Sequence, residues 1–367
     1  MSIAVIIAVY LHPRRVADMI RALLRDAYPD KEIIAAVDGE STPEIEASLA
    51  AFAGQITVLY NHEHLGKAAT LNRVAAAAKS DVLLFLDNDV LLGDNPGFLS
   101  KLAGDMEKFD LAEIPKEARA TSWISAMMEF EFLDYAIVTW LFSHLTGHCP
   151  AMNGAAFAVR REWFSRLQGF RPVVNEDMDF AARAFRLHAR FGFNPRLKVG
   201  NEVPTEINGW LRQRKRWALN NILWLQENFI NLLTRSLRSP RLLLPLLAFF
   251  APFFAIMLAF VVFRSAHLTV LLPSLFMLSQ HFHGLAGIFL GVTHYHLIIA
   301  DGLLPTALAL ALSWAFHFAF ARILKYPFKP LLFLVYYFLY APVWMLANLV
   351  IWAQLVLHGR VQTEWKV

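Results

Sequence analysis

At the end of an apolar run, Val82 to Leu86, the chain places Asp87, Asn88 and Asp89. Two carboxylates held this close repel unless something positive lies between them. A pair of carboxylates at a strand end suits a hard divalent cation, because Mg²⁺ and similar ions take oxygen ligands and bridge carboxylates to phosphates. The competing reading is a solvated strand-end turn with Asn88 as the turn former.

Other residues of the same kind lie before and after this cluster. Tyr10 and the Asp38-Gly39 pair each follow a short apolar segment, and Gly66-Lys67 lies a few residues beyond a third. Asp38 is suited to accept hydrogen bonds from a base or ribose, and Lys67 to meet a phosphate as a point charge. An exposed helix-start lysine is the plainer reading of Lys67. Further on, Asn153-Gly154 precedes a strand-like run, Ala155 to Val159, and the glycine lets a substrate or another backbone come close. Glu176 and Asp177 open a helical pattern, with Asp179 two residues on, where acidic residues also match the helix dipole. Last, Gln213, Arg214, Lys215 and Arg216 crowd beside Trp217. An arginine beside an indole can bind oxyanions while the ring stacks on a flat or sugar-like surface. A basic helix at a membrane surface is the other reading of that stretch.

The elements that must position these groups follow from periodicity. Residues 2–11 read as a buried strand. Residues 13–27 have helical spacing, with Val16, Met19, Ile20 and Leu23 on one face. A second strand ends at Asp38-Gly39. A helix follows, capped by Thr42, started by Pro43 and closed by Gly54. A third strand (55–61), a helix (66–80) and a fourth strand (81–89) complete the pattern. Strands separated by single helices imply an α/β fold with a parallel sheet and helices on both faces. Ligands of such sheets bind beyond the carboxyl ends of the strands, where Tyr10, Asp38, Lys67 and Asp87 to Asp89 all fall.

The order Asp38, Asp87-Asn88-Asp89, Glu176-Asp177, then Gln213-Arg214-Lys215-Arg216-Trp217 resembles the family 2 inverting glycosyltransferases. Within that family it is most similar to the membrane-integrated branch that includes cellulose, chitin and hyaluronan synthases. The likeness covers roughly residues 1–220, and Gly66 to Asn72 adds a Gly-Lys helix start. It implies a GT-A (Rossmann-like) fold, a nucleotide-sugar donor, a UDP-sugar foremost, and Mg²⁺ or Mn²⁺. By the same resemblance Asp38 holds the base or ribose, with Tyr10 and Lys67 also on the donor side. Asp87 lies near donor and metal, and Asp89 ligates the metal. Asp177 is the general base. Gln213, Arg216 and Trp217 close over the diphosphate and the acceptor end, with Gly154 and Glu176 beside the acceptor. There are departures: the acidic motif reads Asn175-Glu176-Asp177, no glycine precedes the Asp87-Asn88-Asp89 core, and residues 108–150 are less recognisable.

Composition adds a second region. The chain has 367 residues, 57% of them hydrophobic. With a mean hydropathy of +0.42 it is too apolar for an ordinary soluble domain. Residues 1–235 carry mixed charge and form the expected cytoplasmic transferase domain; 236–367 form the expected helical membrane region. Segments of about 20 apolar residues cross a bilayer. Leu242 to Phe263, Leu303 to Ile323 and Leu331 to Leu357 qualify, with Arg235, Arg238 and Arg241 on the cytoplasmic side of the first. The stretch 267–300 is ambiguous, so three or four spans are expected. If it crosses once, the basic loop 322–330 falls on the outside; if it is re-entrant or crosses twice, the loop is cytoplasmic. His281-x-His283 and His294-x-His296 read as interfacial or cavity-lining, since alternate residues on a helix face apart. Residues 122–142, rich in aromatics but carrying Glu129, Glu131 and Asp134, read either as an interfacial helix or as one buried under the sheet.

One cysteine, Cys149, excludes an internal disulfide and a cysteine zinc site. The N-terminal residues have neither the basic start nor the cleavage site of a signal peptide. A net charge of +4 gives no sign of a nucleic-acid partner. The expected protein is an integral membrane enzyme, at the plasma membrane, in contact with lipids and open to homo-oligomerisation. It passes sugar to a growing glycan, or alternatively a single sugar to a polyprenyl phosphate or glycolipid. A reading of another class is a non-catalytic transport or scaffold subunit.

Overall fold

The computed structural model describes residues 1–93, 95–246 and 304–358. The alternating pattern of the first ninety residues folds as β1 (Ile3–Val9), α1 (Val16–Arg25), β2 (Lys31–Asp38), α2 (Pro43–Ala50), β3 (Thr57–Asn61), α3 (Lys67–Ala77) and β4 (Val82–Asp87). The Thr42 hydroxyl accepts from the Ile45 N–H at 3.3 Å, which caps α2. These four strands are mutually parallel, in the order β3-β2-β1-β4. Strands covered on both faces read as continuous apolar runs, and Ile3 to Ile7 are fully buried.

Beyond β4 the sheet ceases to be purely parallel. β5 (Val90–Leu91), α4 (Phe98–Met106), β6 (Leu111–Glu113), β7 (Lys116–Ala118) and α5 (Trp123–Thr146) lead to β8 (Ala156–Arg160). β8 runs antiparallel to both β4 and β6, a reversal that the helix-separated pattern of the first half did not announce. After α6 (Arg161–Arg166) and α7 (Glu176–Arg186), β9 (Phe191–Phe193) completes a seven-stranded sheet, β3-β2-β1-β4-β8-β6-β9. β10 (Val199–Asn201) joins β5 and β7 in a small second sheet. One core packs α1, α2 and α4 on one face; the other packs α3, α5 and α7 on the opposite face.

α8 (Ile207–Arg238) leaves this body as a long helix. The later described elements are α9 (Leu304–Leu324), α10 (Pro330–Val335), a π-helical turn (Tyr336–Tyr340) and α11 (Ala341–His358). Two stretches, Ala307–Leu324 and Pro330–Gln354, are long and apolar enough to cross a membrane, and only 17% of each is buried. A core helix would bury far more of its length. The expected span Leu242 to Phe263 lies outside the described residues beyond 246, as does the stretch 267–300 with its histidines.

α5 is not at the surface. It lies between the main sheet and the segments α9 and α10, and its acidic residues are paired. Glu129 meets Lys329 at 3.0 Å, Glu131 meets Arg214, and Asp134 meets His317 at 2.8 Å and the Tyr336 hydroxyl. The loop after α9 is held on the α/β body, since the Tyr326 hydroxyl donates to the Lys116 carbonyl at 2.8 Å. Residues 325–329 are thus seated against the α/β body.

Candidate active site

The carboxyl ends of β1, β2 and β4 and the start of α3 open into one cleft of about 2050 Å³. Tyr10, Asp38, Lys67, Asp87, Asp89, Glu176, Asp177, Gln213, Arg216 and Trp217 all line it. The parallel sheet brings together the first five, and α7 and α8 bring the rest.

At the β2 end, Asp38 is buried and engaged with its own chain. Its carboxylate accepts from the N–H groups of Leu65 at 2.9 Å and Gly66 at 3.0 Å, and pairs with His64 at 2.9 Å. Asp38 therefore shapes the loop before α3. The His64 ring, stacked on Tyr10 with centroids 4.4 Å apart, presents the flat surface there. The carboxyl-end loop of β3 was the sequence signal for His64, but its place beside Tyr10 depends on the Asp38 contacts.

Lys67 lies between carboxylates. Its ammonium is 2.7 Å from Asp87 and 3.2 Å from Glu176. Burial alone would lower its pKa, but Asp87, Glu176 and Asp177 outweigh it and hold the amine charged beyond the usual lysine range. Part of the repulsion within the Asp87-Asp89 pair is thus relieved by this lysine, and Arg14 approaches Asp89 at 3.8 Å. Asn88 donates to the His12 carbonyl at 2.9 Å and ties the β4 end to the loop after β1.

Asp89 tests whether this site suits a cation. Its Oδ1 is buried and has no hydrogen-bond partner. Burial and the neighbouring Asp87 push its pKa up to about 6, against the pull of Arg14 and Lys67. An anionic oxygen left without a donor beside a second carboxylate fits an oxygen-ligated divalent ion. Among the described residues no three His, Cys, Asp or Glu side chains converge on one point. Such an ion would therefore take its protein ligands from Asp89 and Asp87, and the remainder from phosphate or water.

Asp177 is held by two backbone donors, Gly154 at 2.6 Å and Met178 at 2.7 Å. A Cβ at position 154 would lie 2.5 Å from the Asp177 Cβ and 2.8 Å from its Cγ. The close approach that Gly154 permits is made in the structure by this carboxylate of the same chain. Asn153, one residue earlier, is fixed by the buried Glu113–Lys116 pair: Glu113 accepts from its N–H at 3.1 Å, and Lys116 donates to its carbonyl at 3.0 Å. Glu113 and Lys116 carry no sequence signal beyond their place in short strands. Asp179 does not line the cleft. It is buried against Arg171 and Arg183, and so belongs to the scaffold.

The far wall is one face of α8. Gln213, Arg216, Trp217, Asn220, Asn221, Trp224 and Leu225 line the cleft at helical spacing. Arg216 is exposed and Trp217 half-buried. Trp224 donates to the Met178 carbonyl at 3.2 Å, joining this wall to the helix that carries Asp177. Arg214 points elsewhere and is fully buried, which the crowded basic sequence gave no means to foresee. Past Leu225 the wall becomes apolar through Phe229, Leu232 and Leu233, and faces Val138 and Phe142 of α5.

Comparison with known proteins agrees with this architecture. Residues 4–165 match the family model described as "Glycosyl transferase family 2". A stretch of 234 residues is 23% identical to the poly-beta-1,6-N-acetyl-D-glucosamine synthase of Staphylococcus epidermidis strain RP62A, covering 59% of this chain and 54% of that protein. A second Staphylococcus epidermidis sequence of the same description matches with the same figures. The aligned region thus spans about half the length of these curated relatives. Among solved structures, a mannosyltransferase from Pyrobaculum calidifontis in complex with GDP-Man and Mn²⁺ superposes with a TM-score of 0.56 at 18% identity, covering 98% of this chain and 88% of that one. Residues 4–165 are thus similar to a family 2 glycosyltransferase domain, and the chain shares with that mannosyltransferase structure a fold of the GT-A kind.

Proposed function

We propose that the protein is a membrane-bound inverting hexosyltransferase that moves a sugar from a nucleotide-sugar donor, a UDP-sugar foremost, to a growing glycan. The observation that carries this reading is the shared cleft. Asp177, steadied by the Gly154 and Met178 N–H groups, opens into the same space as the Asp87-Asp89 pair and the Gln213-Arg216-Trp217 face of α8. A base and a phosphate-binding end in one cavity are what sugar transfer requires.

In this reading the nucleoside end of the donor meets Tyr10 and His64, with Asp38 behind them. The diphosphate lies towards Lys67, Arg216 and Gln213. Asp89 and Asp87 would hold Mg²⁺ or Mn²⁺, which when bound neutralises charge on the departing diphosphate. Asp177 takes the proton of the acceptor hydroxyl as its oxygen bonds to the anomeric carbon. The bond from that carbon to the diphosphate oxygen breaks, its electron pair leaves with the nucleoside diphosphate, and the configuration inverts. Trp217 closes over the donor diphosphate with Gln213 and Arg216 and supplies a stacking face for the acceptor sugar, and Glu176 keeps Lys67 in place. Residues 1–235 form the catalytic domain and 236–367 the membrane region. The transferase domain faces the cytoplasm, where nucleotide sugars are made, and the membrane is the plasma membrane.

A second reading is favoured by one observation. The cleft wall grades along α8 from polar, at Gln213 to Asn221, to mainly apolar, at Trp224 to Leu233, with Ser236 beyond. From Gln213 to Leu233 is about 30 Å of helix at the usual rise of about 1.5 Å per residue. A lipid-linked acceptor with a polar head and a hydrocarbon tail fits that gradient.

The test is a donor screen with purified protein. Released nucleotide is measured across nucleotide sugars with Mg²⁺, Mn²⁺ or a chelator, followed by sizing of the product. A polymer supports the first reading and a single-sugar lipid the second. No turnover with any donor would return the chain to a scaffold role. Asp89→Ala is expected to lose metal-dependent nucleotide binding; tight binding that still rises with Mn²⁺ would remove the metal assignment.

A further inference from the structure

Arg214 is 1% exposed, and its place is unusual for the middle of a basic run. Its guanidinium lies 4.4 Å from the ring centroid of Trp217 and 5.0 Å from that of Trp344 in α11. One terminal nitrogen donates to Glu131, and the other donates to the Gln213 side-chain oxygen at 3.3 Å. The Glu131 carboxylate also accepts from the Tyr340 hydroxyl at 3.0 Å, and that hydroxyl accepts from the Trp210 indole at 2.8 Å. A single buried side chain thus touches two residues of the cleft and is anchored to the apolar segment after α10.

Stability alone does not account for this arrangement. Replacing a buried ion pair by apolar side chains of similar volume is often neutral or stabilising. What the pair supplies is orientation. A planar guanidinium can donate along two directions in its plane while its face lies on an indole, and an ammonium cannot. Tyr336 and Tyr340, four residues apart on one helical face, stack with their rings 5.5 Å apart. From there each reaches a different α5 carboxylate, Asp134 and Glu131.

We propose that Arg214 is a positioning residue: with Glu131 and Tyr340 it holds Gln213 and Trp217 in the orientation that binds the donor, so that donor binding depends on the seating of the apolar segment 330–358. This inference rests on the proposed donor role of Gln213 and Trp217.

The test uses the full-length protein in detergent, with donor KM, kcat and thermal midpoint measured together. The double variant Arg214→Met, Glu131→Leu removes both charges and keeps bulk. It is expected to retain a thermal midpoint near that of the unaltered protein while donor KM rises by about tenfold or more and kcat falls much less. Arg214→Lys keeps the charge but not the fork, and is expected to raise donor KM in the same way. Tyr340→Phe, which keeps the ring and loses the hydroxyl, is expected to move donor KM in the same direction. A folded double variant with donor KM within about twofold of the unaltered protein overturns the inference. If the double variant does not fold, Arg214→Lys decides by the same threshold. Gln213→Ala and Trp217→Ala are measured alongside. If these leave donor KM unchanged, the donor reading of the cleft falls and this inference with it; if they raise KM and the Arg214 variants do not, this inference falls alone.

Discussion

Gly154→Ala should disable the enzyme through a contact that can be worked out from the structure. The added methyl would sit 2.5 Å from the Asp177 Cβ and 2.8 Å from its Cγ, and nearer still to the oxygen that accepts the Gly154 N–H. Ordinary carbon contacts begin at about 3.5 Å, so the carboxylate must withdraw by about 1 Å. A misplacement of about 1 Å can cost on the order of 10²-fold in rate, and complete loss of a general base about 10²–10⁴-fold. Overpacking itself costs about 1–3 kcal/mol of stability, so the variant should fold with a lowered thermal midpoint. Gly104→Ala is the control: this glycine lies within α4, and a methyl there meets nothing within 4 Å. The assay is sugar transfer per folded protein together with nucleotide binding, which should survive because the residues proposed to meet the diphosphate lie elsewhere in the cleft. Transfer by Gly154→Ala within a few-fold of the Gly104→Ala control would refute the reasoning, since a displaced Asp177 would then be shown to be dispensable.

Asp177→Asn keeps size and most hydrogen bonding but removes the proposed base, so transfer should fall by about 10²–10⁴-fold with donor binding nearly unchanged; isothermal titration with the nucleotide separates the two effects. Asp179→Asn should do the opposite, lowering stability while the folded variant transfers sugar normally. Burial would raise the Asp179 pKa, but Arg171 and Arg183 more than offset it and hold it below the usual range. Its stabilising contribution is therefore present above the ordinary carboxylate pKa and is lost as pH falls through the lowered folded value. The difference in thermal midpoint between Asp179→Asn and the unaltered protein should accordingly shrink on acidification from pH 7, and a gap that widens would contradict the pairing. Arg216→Lys and Trp217→Phe should both lose most transfer in detergent, where no bilayer surface remains to be bound; near-normal rates for both would favour a membrane-anchor role for that face of α8.

Much of the catalytic half was legible because its signals are local. Continuous apolar runs such as Val82 to Leu86 mark strands covered on both faces, helical spacing in residues 16–25 marks α1, and Thr42 with Pro43 marks a helix start. Once strands and helices alternate, the parallel sheet follows, and with it the convergence of Tyr10, Asp38, Lys67 and Asp87 to Asp89 at one edge. The tertiary structure decided whatever depends on partners far along the chain. Asp38 is spent on the loop before α3, because the nearest donors to its carboxylate are backbone N–H groups of that loop. Gly154 accommodates Asp177 because α7 packs its first turn against residue 154. Arg214 and Glu131 are separated by 83 residues and meet only when α8 crosses α5. The antiparallel β8 and the seating of residues 325–329 on the transferase domain are of the same kind. Periodicity reports which face of an element is buried, but which side chain lies opposite is set by how elements cross, and crossing is a property of the packed whole.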